Sequence, residues 1–186
     1  MSSLETRRLR IEPLRAGHAS SLWGPLQDPI LYTYLPKDPP TRDELDKRYE
    51  FLERRRSPDG TEHWLNWVAF LRDTDTPVGT FQATLPEGRP GLIAYVLFRA
   101  FWKQGLAREL SRTLVSYLFR TYPVERLTAE IDTRNTASLR LVESLGFTRV
   151  STTPAADFFK GASSDEHTYA VDRADWLQGA SPGDRT

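Results

Sequence analysis

Two short segments of this 186-residue chain hold residue types whose spacing suits chemistry. The first is Trp102-Lys103-Gln104-Gly105-Leu106-Ala107, between an apolar run and a leucine-striped segment. Backbone amides at a helix N-terminus, approached closely past a glycine, make a site for phosphate. A plain strand-to-helix turn fits the same residues, and neither GxxxxGKS/T nor GxGxxG is present. The second is Asn135-Thr136-Ala137-Ser138-Leu139-Arg140-Leu141-Val142-Glu143-Ser144-Leu145-Gly146-Phe147. Read alone it is a helix capped by Asn135 and ended by Gly146, which accounts for every position except Ser138.

Composition narrows the chemistry. The 25 basic and 25 acidic residues cancel, so no bulk field gathers phosphate and nucleic-acid binding is not expected. The absence of cysteine removes thiol nucleophiles, disulfides, thiolate zinc sites and iron–sulfur clusters. His18, His63 and His167 lie far apart in sequence, and no metal site is expected. No apolar run reaches the roughly 18 residues of a membrane span. The start MSSLETRRLR has no apolar core of a signal peptide, so the expectation is a cytoplasmic protein without membrane contact. The length suits one domain, placed at residues 1–177, with a small polar tail over 178–186.

The elements that must position the two segments follow from periodicity. Arg7–Arg15 reads as a strand with Leu9 and Ile11 on one face, ending near Pro13. Gly17–Gln27 and Thr41–Arg56 read as helices flanking a proline-rich loop, Asp28–Pro40. The second has Leu45, Tyr49 and Leu52 on one stripe, and Thr41 with Glu44 as a capping box. Trp64–Arg72, Val78–Leu85 and Leu92–Phe98 are strands whose short linkers make antiparallel hairpins. Leu106, Leu110, Leu114 and Leu118 then predict an amphipathic helix over Gly105–Arg120. Strand Arg126–Asp132, helix Thr136–Leu145 and strands Phe147–Ser151 and Glu166–Val171 complete a mixed α/β sandwich around one core.

Taken in order, the two segments closely resemble motifs A and B of the GNAT superfamily, the acyl-CoA-dependent N-acyltransferases. The phosphate loop of that superfamily reads Gln/Arg-x-x-Gly-x-Gly/Ala, against Trp102-x-x-Gly105-x-Ala107 here, with a departure at the first position. The second segment resembles the Asn-x-x-Ser…Glu-x-x-Gly-Phe of the branch containing the ribosomal-protein N-terminal acetyltransferases. The ends Leu4–Ile11 and His167-Thr168-Tyr169…Asp175-Trp176 look similar too, so the resemblance spans residues 4–177.

The resemblance implies a GNAT-like mixed, mostly antiparallel sheet with two central splayed parallel strands and helices on both faces. By position, Leu92–Phe98 and Arg126–Asp132 are the splayed pair. It implies acetyl-CoA as acyl donor and no metal. The backbone amides of Gln104, Gly105, Leu106 and Ala107 would hold its pyrophosphate. Val96, Leu97 and Phe98 would offer backbone pairing to the pantetheine arm, and Asn135 would hydrogen-bond that arm. Arg99, Lys103, Arg108 and Arg140 flank the site and are candidates to pair with the 3′-phosphate.

Acyl transfer to an amine requires loss of a proton from the amine, donors for the oxyanion and help for the departing thiolate. Many superfamily members place a tyrosine seven residues after the asparagine; here that residue is Val142, and Ser138 is the alternative this branch implies. For the base, Gly91–Tyr95 holds no glutamate. Glu130 is the leading candidate, with Asp132, Glu62 and His63 the other groups within reach by position, or a water relays the proton. Tyr32 and Tyr34 fall where the superfamily lines its acceptor site. The expected activity is N-acetylation of a primary amine, with a protein or peptide N-terminus as the leading acceptor. A polyamine or antibiotic is the alternative acceptor, a non-catalytic CoA-binding module the rival function. A monomer or homodimer is expected.

Overall fold

The chain is described by a computed structural model covering residues 1–179. The first helical expectation is the one most changed. Gly17–Gln27 is a 3-10 turn Ala16–His18, a four-residue helix α1 (Ala19–Leu22) and a second 3-10 turn Pro25–Gln27. Pro25 brings no N–H and its ring opposes the Ser21 carbonyl, so the helix cannot continue past Gly24. A third 3-10 turn, Pro29–Tyr32, lies in the loop that follows. Helix α2 (Arg42–Leu52) starts on the expected capping box, Thr41 and Glu44 each engaging the backbone of the other. It stops short of Arg56 because Arg55 turns to φ 62°.

Strands β1 (Leu4–Glu5), β2 (Leu9–Pro13), β3 (Glu62–Leu71), β4 (Pro77–Pro86), β5 (Gly91–Leu97), β6 (Arg126–Asp132), β7 (Thr148–Phe159) and β8 (Ala162–Asp172) form one sheet. Its order is β1-β2-β3-β4-β5-β6-β8-β7, and only the central pair β5/β6 is parallel. The last two strands are much longer than Phe147–Ser151 and Glu166–Val171. Lys160 (φ 53°) and Gly161 (φ 75°) make a two-residue turn of the kind that matches strand twist. The extension was invisible to periodicity because β7 is exposed along nearly all its length and has no buried face to alternate.

Helix α3 (Leu106–Thr121) crosses between the parallel strands, α4 (Thr136–Ser144) follows β6, and α5 (Arg173–Gly179) closes the described chain. Gln178 and Gly179, the start of the expected tail, end α5; residues 180–186 lie outside the described residues. The stripe Leu106, Leu110, Leu114, Leu118 is fully buried against one sheet face with Ile11, Trp67, Phe81, Ile93 and Leu127. Each such leucine contributes about 1.5–3 kcal/mol of transfer free energy. The alternate residues Val68 and Phe70 of β3 face the other way, onto a second cluster with Leu22, Leu26, Leu45 and Tyr49 of the α1–α2 segment. Helices therefore cover both faces.

Candidate active site

The parallel pair meets only at its base. Gly91 pairs with Leu127 and Leu92 with Thr128, after which β5 and β6 diverge. Gly91 permits that junction, since a Cβ there would sit 2.5 Å from Leu85 Cδ2 and 2.9 Å from Leu127 Cδ2. Phe98 donates to the Val78 carbonyl (2.9 Å), which fixes the alternation of the β4–β5 ladder. Val96 and Ala94 therefore turn their backbone groups to β4, while Ile93, Tyr95 and Leu97 turn theirs into the fork.

This narrows the expected backbone pairing at Val96, Leu97 and Phe98. The Phe98 amide is engaged by Val78, and its carbonyl accepts from Phe101 (2.9 Å). Val96 faces Thr80. The Leu97 carbonyl accepts from the Trp102 indole at 2.7 Å, so the aromatic that departs from the superfamily pattern has a structural task. Leu97 N–H and both backbone groups of Tyr95 face the fork.

The phosphate-loop geometry is built from Lys103 to Arg108. Gly105 is the N-cap of α3 at φ 75°, ψ 2°, a left-handed conformation natural to glycine. The first helical bond runs from Glu109 N–H to the Gly105 carbonyl (3.1 Å). The amides of Lys103, Gln104, Gly105, Leu106, Ala107 and Arg108 find no acceptor among the described residues. Six donors at the positive end of a 16-residue helix suit a pyrophosphate. Arg8, which the sequence reading passed over, docks on this loop. Its Nη1 donates to the Gln104 carbonyl (2.8 Å) while its Nε donates to Glu109 (2.7 Å). Lys103 and Arg108 lie on the loop and first turn, Arg99 in the preceding 3-10 turn, and Arg140 is exposed on α4.

Across the fork, Asn135 caps α4 through Oδ1, which accepts from Ser138 N–H at 3.2 Å. Its Nδ2 has no acceptor among the described residues. A fork cavity of about 190 Å³ holds Asn135 and Ser138 together with Tyr95, Tyr34, Glu130, Asp132, Asp157 and Glu166. Tyr95 was legible only as core. Its hydroxyl stands 3.4 Å from the Ser138 carbonyl, and burial pushes its pKa up to about 12, keeping it a protonated donor.

The carboxylates divide by environment. Asp132 accepts from Arg134 Nε (2.9 Å), Arg134 N–H (2.8 Å) and Ser164 Oγ (2.5 Å). Those bonds, Arg134 foremost, hold it down to about 2 against burial, so it is a fixed anion and not a base at neutral pH. Glu166, opposite Asp132 on β8, is shifted the other way. Burial raises its pKa first, and the charges of Glu130, Asp157 and Asp132 raise it further. Glu130 lines the cavity from β6, mostly exposed. Glu62 and His63 line neither cavity; Glu62 accepts from the Trp64 indole, and His63 packs edge-on against Tyr122.

A larger cavity, about 550 Å³, opens on the α1–α2 side; leucines, Tyr32 and Tyr49 line it together with charged and amide side chains. Tyr32 is buried and donates to the Leu26 carbonyl (2.9 Å), so its ring rather than its hydroxyl is presented; Tyr34 lines the fork cavity instead. Leu35 lines both cavities, and Gln82 of the larger pairs across the ladder with Ala94 of the smaller, so the two adjoin.

Known proteins give this geometry its context. The uncharacterized N-acetyltransferase YoaA of Bacillus subtilis is 29% identical over 109 residues, 58% of this chain and 62% of that protein. The uncharacterized N-acetyltransferase p20 of Bacillus licheniformis is 24% identical over 92% of this chain and 96% of its own length. The ribosomal-protein-S5-alanine acetyltransferase of Vibrio fischeri shares the fold with a TM-score of 0.81, at 17% identity over 95% of this chain and 99% of that one. The spermidine N-acetyltransferase of Vibrio cholerae, solved with CoA and spermine, does so with a TM-score of 0.79, at 16% identity over 92% and 99%. Residues 8–148 match the family model described as an acetyltransferase (GNAT) domain. With the forked sheet and the glycine-capped helix in place, that match makes the chain a member of the GNAT family of acyl-CoA-dependent N-acetyltransferases.

Proposed function

We propose that residues 1–177 act as one domain that acetylates the α-amino group of a protein or peptide N-terminus. The observation that carries the reading is the fork itself, a gap that brings the hydroxyls of Tyr95 and Ser138 into one cavity with the raised-pKa carboxylate of Glu166. Acetyl-CoA supplies the acetyl group as a thioester. The six free amides from Lys103 to Arg108 hold its pyrophosphate, and Leu97 N–H, Tyr95 and the Asn135 amide hold its arm. Glu166 takes one proton from the acceptor ammonium, leaving the nitrogen lone pair free to form the C–N bond. As the C–S bond breaks, the Ser138 hydroxyl donates to the sulfur, which takes up the second proton shed by nitrogen. Tyr95 braces the first turn of α4 from its carbonyl side. The cavity beside the fork joins a leucine surface to the cations Lys37 and Arg48, which favours an acceptor with an apolar body over a polyamine, whose methylene chain alternates with positive charges.

The test is release of free CoA from acetyl-CoA with N-terminal peptides, polyamines and aminoglycosides. Glu166→Gln is expected to lower kcat/KM by about 10²-fold or more and to abolish its acidic limb against pH, while Ser138→Ala lowers kcat about tenfold with acetyl-CoA affinity retained. An unchanged pH profile in Glu166→Gln removes that residue as base; release of CoA by no amine removes the transferase reading.

A further inference from the structure

Arg48 is an exposed cation at the border of the inward face of helix α2. Leu45, Tyr49 and Leu52 form the inward stripe, and Arg48 lies three residues after the first and four before the last, on the same face. It lines the 550 Å³ cavity, as does Lys37 from the segment Pro36-Lys37-Asp38-Pro39-Pro40. Three prolines restrict that segment, so Lys37 is presented from a stiff loop.

Neither cation has a hydrogen-bonding or ion-pair partner among the described residues, whereas Arg8, Arg10, Arg42, Lys47, Arg126 and Arg134 each engage a carboxylate. Two carboxylates share the cavity wall. Glu44 is folded back on Thr41, accepting from its N–H and its hydroxyl (both 2.8 Å), so its charge serves the helix cap. Asp38 is exposed beside Lys37 and forms no ion pair with it among the described residues. The Arg48 charge is felt at Lys37: desolvation of the ammonium against the cavity lowers its pKa, and Arg48 lowers it further. Both residues are exposed, and two like charges that line one cavity without a counter-ion are stabilised by an anion placed between them.

We propose that Lys37 and Arg48 receive a carboxylate of the acceptor, so that the chain selects amines bearing an apolar body and then an acidic group. This rests on the transferase reading and refines its acceptor. The amine reaches Glu166 through the smaller cavity, the apolar portion lies along the leucines, and the carboxylate stops at the two cations. A polyamine would bring positive charge to the same place. The shared chemistry has two sources, an Asp or Glu side chain of an N-terminal peptide and the C-terminal carboxylate of a short peptide.

The experiment compares C-terminally amidated peptides beginning with leucine and carrying Glu, Gln or Lys at position two, three or four. The matching peptide acids test the second source. CoA release gives kcat/KM, and calorimetry in the presence of CoA gives binding without turnover. The expected result is at least about a tenfold preference for Glu over Lys at one position, inverted in Lys37→Glu/Arg48→Glu. If only the free acids bind and turn over, the carboxylate is C-terminal and the proposal stands with that source. Lys37→Glu alone, on a surface loop, is expected to shift the ratio in the same sense if the Arg48 variant does not fold. Equal use of Glu and Lys peptides, or a preference for spermidine, overturns the proposal while leaving the transferase reading intact. Absence of CoA release from every amine overturns the transferase reading instead, and the calorimetric preference is read independently of it.

Discussion

Asp132 offers a quantitative check on how the fork wall is held. Its side chain is 5% exposed and receives Arg134 and Ser164, which lower its pKa from 3.8 to about 2. A folded-state value below the unfolded one means that folding favours the ionised form. The stabilisation is therefore complete well above pH 3.8 and is lost as pH falls through 2. Linkage makes it about 2 kcal/mol at pH 7, about 1 kcal/mol at pH 3 and close to none at pH 1. An amide cannot titrate, so Asp132→Asn should be less stable than the parent by about 2 kcal/mol at neutral pH, and the two curves should converge on acidification. Urea unfolding followed by tryptophan fluorescence at pH 7, 5, 4, 3 and 2 measures the difference, which cancels the titrating groups that do not feel the Asp132 charge; Glu166 feels it, and the same comparison made in a Glu166→Gln background removes its share. A gap that stays constant across that range refutes the reasoning, since it would mean that lost hydrogen-bond shape rather than lost charge destabilises the variant. A gap of zero at pH 7 refutes it more directly.

Two further substitutions test the cofactor side. Gly105→Val adds a side chain at φ 75° in front of the free amides, and should weaken acetyl-CoA binding at least about tenfold by calorimetry while circular dichroism stays that of a folded chain. Asn135→Asp keeps the oxygen that caps α4 and removes the amide donor, so it should retain the melting temperature yet raise KM for acetyl-CoA; normal binding would reduce Asn135 to a cap.

The parts of the site legible in the sequence are those fixed locally. Gly105 before a leucine stripe, Asn135 three residues before Ser138, and Thr41 with Glu44 are short-range patterns whose geometry hardly depends on the rest of the fold. Parts that depend on register were not legible. Glu166 lies at the beginning of the strand expected over 166–171, but its place opposite Asp132 follows from a β6–β8 pairing that sequence periodicity cannot set. Tyr95 read as one apolar residue in a run, and only the parting of β5 from β6 puts its hydroxyl beside Ser138. Arg8 reaches Gln104 from 96 positions away. Glu130, expected as base from its place on the strand before Asn135, does line the cavity, but the raised carboxylate beside it is Glu166.

The narrow junction between β5 and β6 has a mechanical meaning. Two residue pairs join eight strands into two panels, and a seam that short resists tilting poorly. The stiffness comes from α3, which bears on β2 and β4 of one panel and on α4 and α5, which ride on the other. It works as a splint laid across a hinge. The opening angle then depends on the packing beneath the helix, where Leu110 and Leu114 are fully buried, as well as on the short pairing at the base of the fork. Trimming either leucine should let the panels settle at a new angle, so that a vacancy deep in the core is felt as a change of grip at the mouth, among residues the substitution never touches.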